Sequence, residues 1–157
     1  MSDIDNSAPT TIDGLWRAHA GELLRFATVL VGPADAGDIV VEAMLRAERS
    51  LLSGEVRTPR AYLFQAVANH ARDHRRGRAR RWARDLAAIG PAQTESRDTF
   101  IDVRRAVAQL SVVQRAVVYL AYWEDMTERA IADLLQLSPG TVHRHLDSAR
   151  DHLRKVL

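Results

Sequence analysis

Residues 127–153, TERAIADLLQLSPGTVHRHLDSARDHL, carry two helix-start signals separated by a tight turn. Thr127 can cap a first short helix by accepting a backbone hydrogen bond. Ser138 can cap a second helix that has Pro139 in its first position, where the missing N–H of proline does no harm. Leu137 lies in the turn between them. This pattern predicts a helix-turn-helix.

Apolar residues of the same stretch recur at helical spacing and can bury one shared core, and the small Ala132 lets the two helices approach closely. The predicted core positions are Ile131, Leu135, Leu137, Val142, Leu146, Ala149, Leu153 and Val156. The side chains left outside are Thr141, His143, Arg144, Asp147 and Ser148. In the groove geometry of this motif such side chains meet base edges and phosphates. The alternative is an αα-hairpin that only packs.

The rest of the chain also has helical periodicity, and no run alternates as a half-buried strand would. A first helix is predicted from Ile12 to Val31, a break at Gly32-Pro33, a second helix from Asp35 to about Leu52, and a third from Pro59 into an arginine-rich block. In the first of these helices, the residues predicted to point inward are Leu15, Ala18, Leu23, Phe26 and Leu30. Further helices are predicted around Phe100 to Leu110 and from Val113 to near Glu124.

The composition changes at LAAIGPAQTESR, which is small, polar and contains Gly-Pro, as in a linker. We therefore predict an all-α fold of two small helical domains joined by a flexible linker, with the helix-turn-helix in the second domain. The predicted boundaries are a disordered terminus at 1–11, a first domain at 12–84, the linker at 85–98 and a second domain at 99–157.

Positive charge is concentrated in one short block, from Arg72 to Arg84. This block holds seven arginines and one acid, a net charge of +6, whereas the residues before it sum to −3 and those after it to −1. A solvated helix face normally mixes the two signs, so we interpret the block as a surface that binds a polyanion; an exposed helix end that only aids solubility is the alternative.

Several function classes find no support in the sequence. There is no cysteine, so disulfides, thiolate metal sites and thiol nucleophiles are excluded. We find no glycine-rich phosphate loop and no nucleophile motif, which argues against an enzyme. His70 and His74 are four residues apart, but a third metal ligand beyond Asp73 is missing, so we predict no metal and no cofactor. The polar, acidic start and the short apolar runs predict a cytoplasmic protein without membrane insertion.

The carboxy-terminal stretch from Leu110 onward resembles the DNA-binding fourth region of sigma-70 family factors, most closely their extracytoplasmic-function (ECF) class. The matching residues are Leu110, Arg115, Ile131, Ala132, Leu134, Leu135, Ser138, Gly140, Thr141, Val142, Leu146, Ala149 and Arg150. The first half matches independently: DAGDIVVEAMLRA resembles the family's polymerase-binding helix, and PRAYLFQAVANHARDHRR resembles its promoter-melting helix.

The resemblance implies an alternative sigma factor. Such a protein binds the β′ clamp and the β flap of core RNA polymerase and directs promoter recognition, DNA melting and initiation. It implies that the −10 element is bound and melted by Asn69, Arg72, Asp73, Arg75, Arg76, Arg78, Arg80 and Arg81. It implies that the −35 element is bound by Ser138, Thr141, His143, Arg144, Ser148 and Arg150. It implies a polymerase contact through Asp35, Asp38, Glu42 and Arg46.

By the same resemblance, the loop before Pro59 and the Asn69 stripe hold a flipped base of the non-template strand. Tyr62, Phe64 and Trp82 are candidates for stacking on bases, although core packing is the favoured interpretation for the first two. The resemblance also implies an anti-sigma protein as a partner and no small-molecule substrate.

The chain departs from the family pattern at three places. Gly37 and Val41 replace a usual acid and glutamine in the polymerase-binding helix, and Gly37 should weaken that helix. Gln136 stands where the turn usually has glycine, so it must adopt a left-handed conformation. The recognition helix reads His143-Arg144-His145, and with both histidines expected to be largely neutral, Arg144 should carry most of the phosphate attraction.

The sequence leaves a second function open, a stand-alone helix-turn-helix regulator whose first half binds a ligand or partner. That hypothesis treats the melting-helix match at Asn69 and Asp73 as coincidence.

Overall fold

The structure, a computed structural model, describes residues 11–74 and 95–157, with side chains in the second segment from residue 102 onward. These residues form helices and no strand, which confirms the all-α prediction for this part of the chain. The helices are α1 (Ile12–Val31), α2 (Pro33–Leu52), α3 (Pro59–Asp73), α4 (Glu95–Ala108), α5 (Val112–Tyr122), α6 (Glu128–Leu135) and α7 (Pro139–Val156). Of the helices described, none is long and apolar enough to cross a membrane.

The boundary between α1 and α2 follows directly from two residues. Gly32 has φ = 88°, a conformation that disfavours residues with a side chain, and Pro33 is the first residue of α2, as predicted. Thr11 caps α1 by accepting a hydrogen bond from the backbone N–H of Gly14. Ala18, expected to point inward, is exposed, because the buried stripe of α1 runs through Leu15, Leu23, Phe26, Ala27, Leu30 and Val31.

The third helix begins at Pro59, as predicted, and ends at Asp73. The cap residue His74 has extended backbone angles, so the helix does not continue through it. The arginine-rich segment that follows, with the predicted DNA-binding residues Arg75, Arg76, Arg78, Arg80 and Arg81 and the aromatic Trp82, lies outside the described residues.

The second half begins with α4, whose first turn from Glu95 lies within the segment that composition assigned to the linker. The linker prediction rests on polar composition, and polar residues without Gly or Pro are equally compatible with a helical turn. Helix α5 starts with a capping box, in which Ser111 accepts from the N–H of Gln114 and the Gln114 side chain accepts from the N–H of Ser111.

The helix-turn-helix is formed by α6 and α7. Thr127 caps α6 and Ser138 caps α7, as predicted. Gln136 has φ = 56° and ψ = 44°, the left-handed conformation expected for it. The predicted core positions Ile131, Leu135, Val142, Leu146 and Ala149 are buried, and so is the small Ala132. Of the other predicted core positions, Leu137 and Leu153 are half-buried and Val156 at the end of α7 is exposed.

The two halves pack against each other and share one continuous core. Helices α1 and α3 of the first half contact α5 of the second, and α3 also contacts α6; we call this packing the closed arrangement. The Phe26 ring lies 5.0 Å from Phe64 in its own half and 5.2 Å from Tyr119 in the other. Burying side chains of this size contributes about 1.5–3 kcal/mol each. The residue boundaries of the two domains stay a prediction.

Candidate nucleic-acid interface

The described part of the predicted melting surface lies at the end of α3. Asn69, Arg72 and Asp73 are all exposed. Asn69 and Arg72 line a narrow crevice whose other side is formed by the second half, with Val112, Val113, Ala116, Leu135 and Leu137. The structure therefore brings two of the predicted −10 residues next to α5 and the turn of the helix-turn-helix.

The loop before Pro59 borders a cavity of about 680 Å³. Residues 55–58 form one wall of this cavity, and the rest comes from α3 and α6, with Ser50 near the end of α2 and Met126 just before α6. A volume of this size is in the range of small-ligand pockets, and the loop is the one that sequence reasoning assigned to a flipped base.

Of the aromatic candidates, Phe64 is fully buried between Phe26 and Arg60. Tyr62 is half-buried against the same core. Packing, the interpretation favoured from the sequence, accounts for Phe64, whereas Tyr62 also lines the cavity beside the loop before Pro59.

The predicted polymerase-binding residues occupy the outer side of α2. Asp38, Glu42 and Arg46 are exposed, and Arg46 donates to Glu42 over 2.9 Å within the helix. Asp35 instead lies 3.2 Å from Nε2 of His74, which joins the start of α2 to the end of α3. In the described ranges, no three His, Asp or Glu side chains lie close enough to hold a metal ion.

Two apolar residues on the same side of α2 complete that surface. Val41 is 44% exposed and Leu45 is 61% exposed, far more than aliphatic side chains usually are in a helix that packs on a core. Sequence reasoning noted Val41 only as a departure and missed Leu45, although their spacing of four residues places both on one helical face.

Two hydroxyls, of Ser138 and Thr141, and the guanidinium of Arg144 form hydrogen bonds at the start of the recognition helix α7. The Ser138 hydroxyl accepts from the Thr141 N–H at 3.1 Å and lies 2.8 Å from the Thr141 hydroxyl. Arg144 donates to that Thr141 hydroxyl at 3.1 Å. These three predicted −35 residues are therefore connected by hydrogen bonds at a helix N-terminus. Backbone N–H groups and the helix dipole favour anions at such a position.

His143 lies between two carboxylates. Its Nδ1 is 3.1 Å from Glu128 of α6, and its Nε2 is 3.1 Å from Asp147 of α7. Glu128, through its hydrogen bond, raises the pKa of His143 above its usual value, and the charges of Asp147 and Glu128 add to this. The sequence led us to expect a largely neutral His143. The raised pKa instead favours the protonated form of its imidazole more than in a free histidine.

His145 behaves in the opposite way. It is half-buried, and this burial lowers its pKa; the positive charges of Arg144 and of Arg72 on α3 lower it further. The expectation of a neutral side chain fits His145.

The last two predicted −35 residues are engaged within the second half. The Ser148 hydroxyl accepts from the side-chain amide of Gln114 at 3.1 Å. Arg150 donates to the Tyr122 hydroxyl at 2.7 Å, and its guanidinium lies 5.7 Å from the centre of that ring. Both residues are thus oriented from α5, a contact that local spacing in the sequence does not reveal.

Two family models match the chain in the order seen in the structure. The model of sigma-70 region 2 matches residues 15–81, and the model of sigma-70 region 4 matches residues 100–153. The first covers α1 to α3 and the second covers most of α4 to α7.

Individual proteins match over almost the whole chain. The ECF RNA polymerase sigma factor SigL of Mycobacterium tuberculosis is 32% identical over 155 residues, covering 91% of this chain and 86% of the relative. The ECF sigma factor SigM of the same species is 34% identical, covering 92% and 76%. The sigma factor RpoE of Bartonella quintana, solved in complex with the anti-sigma factor NepR, has a similar fold, with a TM-score of 0.69, 24% identity, and coverage of 94% of this chain and 97% of that chain.

Proposed function

Since this chain belongs to the ECF class of the sigma-70 family and is an alternative RNA polymerase sigma factor, we propose that its first half opens the −10 element while its second half docks at the −35 element. The observation that carries this assignment is the order of two matched regions, one ending in the cationic block and the other containing the helix-turn-helix.

At the −35 element, we assign the docking to the cap Ser138 and to α7 as far as Arg150. Ser138 and Thr141 lie at the N-terminus of the helix, where we propose that a DNA phosphate binds. The guanidinium of Arg144 lies beside them and adds its positive charge at the same place. His143 and Ser148 are exposed, and Arg150, which is half-buried, follows two residues after Ser148. Contacts to phosphate position the helix, and side chains in the major groove then distinguish base pairs.

At the −10 element, we assign capture of the opened strand to Asn69, Arg72 and Asp73, with the arginines that follow them in sequence neutralising phosphates. The cavity beside the loop before Pro59 is the proposed site for an unstacked base. Capture must offset an unstacking cost of about a few kcal/mol per base.

Core polymerase is proposed to bind the outer face of α2, where Val41 and Leu45 supply apolar area beside Asp38 and the Glu42–Arg46 pair. Apolar side chains ringed by charges are typical of protein interfaces, so the loss of the usual acid and glutamine does not remove the surface. The β′ clamp is the proposed partner of this face and the β flap that of the second half.

We assign no covalent chemistry to the chain, because nucleotidyl transfer belongs to the polymerase, and we place its action in the cytoplasm with that enzyme. An anti-sigma protein is the proposed inhibitor. The fold neighbour RpoE, solved with such a protein, supports this assignment. A stand-alone regulator would leave the match of residues 15–81 to region 2 without a role.

The test is run-off transcription on a genomic promoter library with core polymerase and this protein. We expect transcripts that require both components. Specific DNA binding that is unaffected by polymerase, with no initiation, would support the regulator instead.

A further inference from the structure

The exposed side of the recognition helix α7 carries an acid that is not one of the proposed −35 residues. Asp147 is exposed and lies on the side of the helix away from the buried Val142, Leu146 and Ala149. A carboxylate is unusual on a surface proposed to bind DNA, because the phosphates repel it. It weakens binding unless cations compensate its charge, so its immediate surroundings decide what it can do.

Two basic side chains compensate the charge of Asp147. Nε2 of His143 lies 3.1 Å from Oδ2 of the carboxylate, and Nη1 of Arg150 donates to Oδ1 over 3.4 Å. A hydrogen bond to Glu128 and the charge of Asp147 raise the pKa of His143 and so favour the imidazolium, which can donate from both of its nitrogens. The carboxylate therefore faces the DNA side of α7 with its charge largely compensated.

Two other helices hold the outer ends of this group of side chains. Glu128, at the start of α6, lies 3.1 Å from Nδ1 of His143. The Tyr122 hydroxyl, at the end of α5, accepts from Nε of Arg150 over 2.7 Å. Both donors of Asp147 are thus oriented before DNA arrives, and a pre-oriented contact loses less conformational entropy on binding.

The Asp147 carboxylate keeps acceptor capacity for a further partner. An ionised carboxylate has about four lone-pair sites and no hydrogen to donate, and each oxygen of Asp147 faces one side-chain donor. A further partner in the major groove must therefore be an amino group, which means N4 of cytosine or N6 of adenine. Guanine O6 and thymine O4 are acceptors and would repel the carboxylate.

Cytosine fits this acceptor better than adenine does. Adenine presents the acceptor N7 beside its amino group, so the second carboxylate oxygen would meet another acceptor, whereas cytosine has only a C–H group beside N4. We infer that Asp147 sets the base preference at one position of the −35 element by accepting a hydrogen bond from the N4 amino group of a cytosine. This inference rests on the proposed docking of α7 at the −35 element and adds the base that one side chain selects.

The test is a selection of −35 sequences by the full chain bound to core polymerase. A promoter found by run-off transcription is randomised across its −35 element with its −10 element kept constant, and the templates held in heparin-resistant complexes are sequenced. The variants are Asp147→Asn and Asp147→Ala. Asp151→Asn is the matched control, because it removes an exposed acid one turn further along the same helix, where Asp151 lies 4.0 Å from Arg154.

We expect the parent protein to prefer cytosine at one position by about tenfold over guanine or thymine, the effect of one well-placed base contact. Asp147→Asn keeps the shape of the side chain but gains a donor, so the preference at that position should change to adenine, whose N6 and N7 pair with asparagine. Asp147→Ala should leave the four bases nearly equal there. Asp151→Asn should retain every preference of the parent.

A purely structural role for Asp147 would weaken binding to all sequences by a similar factor and leave the base preferences unchanged. That result would overturn the inference, as would a parent preference that lacks cytosine or a cytosine preference that persists in both Asp147 variants. A parent that selects no −35 sequence at all would contradict the proposed docking itself. If the parent selects an element in which Asp147 has no effect, the docking stands and only this inference fails.

Discussion

Nδ1 of His143 in the recognition helix lies 3.1 Å from a carboxylate oxygen of Glu128 at the start of the preceding helix. Because this contact raises the pKa of His143 above its unfolded value of 6.5, it stabilises the fold fully below that value and is lost as the pH rises through the folded pKa. We expect His143→Gln to lower the free energy of unfolding more at about pH 5.5 than at about pH 8.5, measured by urea titration.

Glu128→Gln provides the matched test of the same contact. It should remove most of the pH dependence that His143→Gln removes, and the two changes together should add little to either one. Equal destabilisation by His143→Gln at both pH values would show that the ion pair does not contribute. His145→Gln should not reproduce the effect, because burial lowers the pKa of His145 instead.

Gly37 is a helical glycine with free space around it. A Cβ placed there meets no atom within 4 Å, so Gly37→Ala costs no packing and removes the entropic penalty of glycine in a helix. We expect the free energy of unfolding to rise by about 0.5–1 kcal/mol in chemical denaturation.

Gly54→Ala is the counterpart of that substitution. Gly54 also has open space but has φ = 77°, so alanine there is strained and should destabilise the protein. Equal effects of the two changes would contradict this explanation.

Gln136 holds the turn of the helix-turn-helix in a left-handed conformation at φ = 56°. Gln136→Gly should relieve a strain of about 1 kcal/mol and raise the thermal midpoint, because glycine adopts this conformation without a steric clash. Calorimetry would show the shift, and a lowered midpoint would mean that the Gln136 side chain makes a stabilising contact.

Arg144 is the proposed phosphate contact at the start of the recognition helix. Arg144→Ala should weaken binding to −35 duplexes of different sequence by similar factors and reduce the salt dependence of log K by about one unit of slope. Arg154→Ala, at the exposed end of the same helix, is the control and should leave the slope nearly unchanged. Identical slopes for Arg144→Ala and the parent protein would exclude this phosphate contact.

Local rules predicted the helix-turn-helix almost completely. The caps at Thr127 and Ser138, the left-handed Gln136 and the buried seam of α7 all depend on residues a few positions apart, which the sequence displays directly. The break at Gly32-Pro33 was predictable for the same reason.

Contacts between distant segments could not be predicted in this way. Arg115 and Leu30 are 85 positions apart, and Arg60 and Glu124 are 64 apart, so no spacing rule connects them. The packing of the two halves, which the composition of the linker gave no reason to expect, depends on such contacts. Glu128 was missed as a partner of His143 because the turn, not helical periodicity, brings them together.

The most direct test of the two-part account is permanganate footprinting of a promoter with core polymerase and this protein. With the parent protein we predict reactive thymines around the −10 element. Arg144→Ala should require more protein but reach the same reactivity, whereas Asn69→Ala should stay less reactive even at saturation, because it impairs strand capture rather than docking. Full reactivity with Asn69→Ala, or opening by polymerase without this protein, would contradict the account.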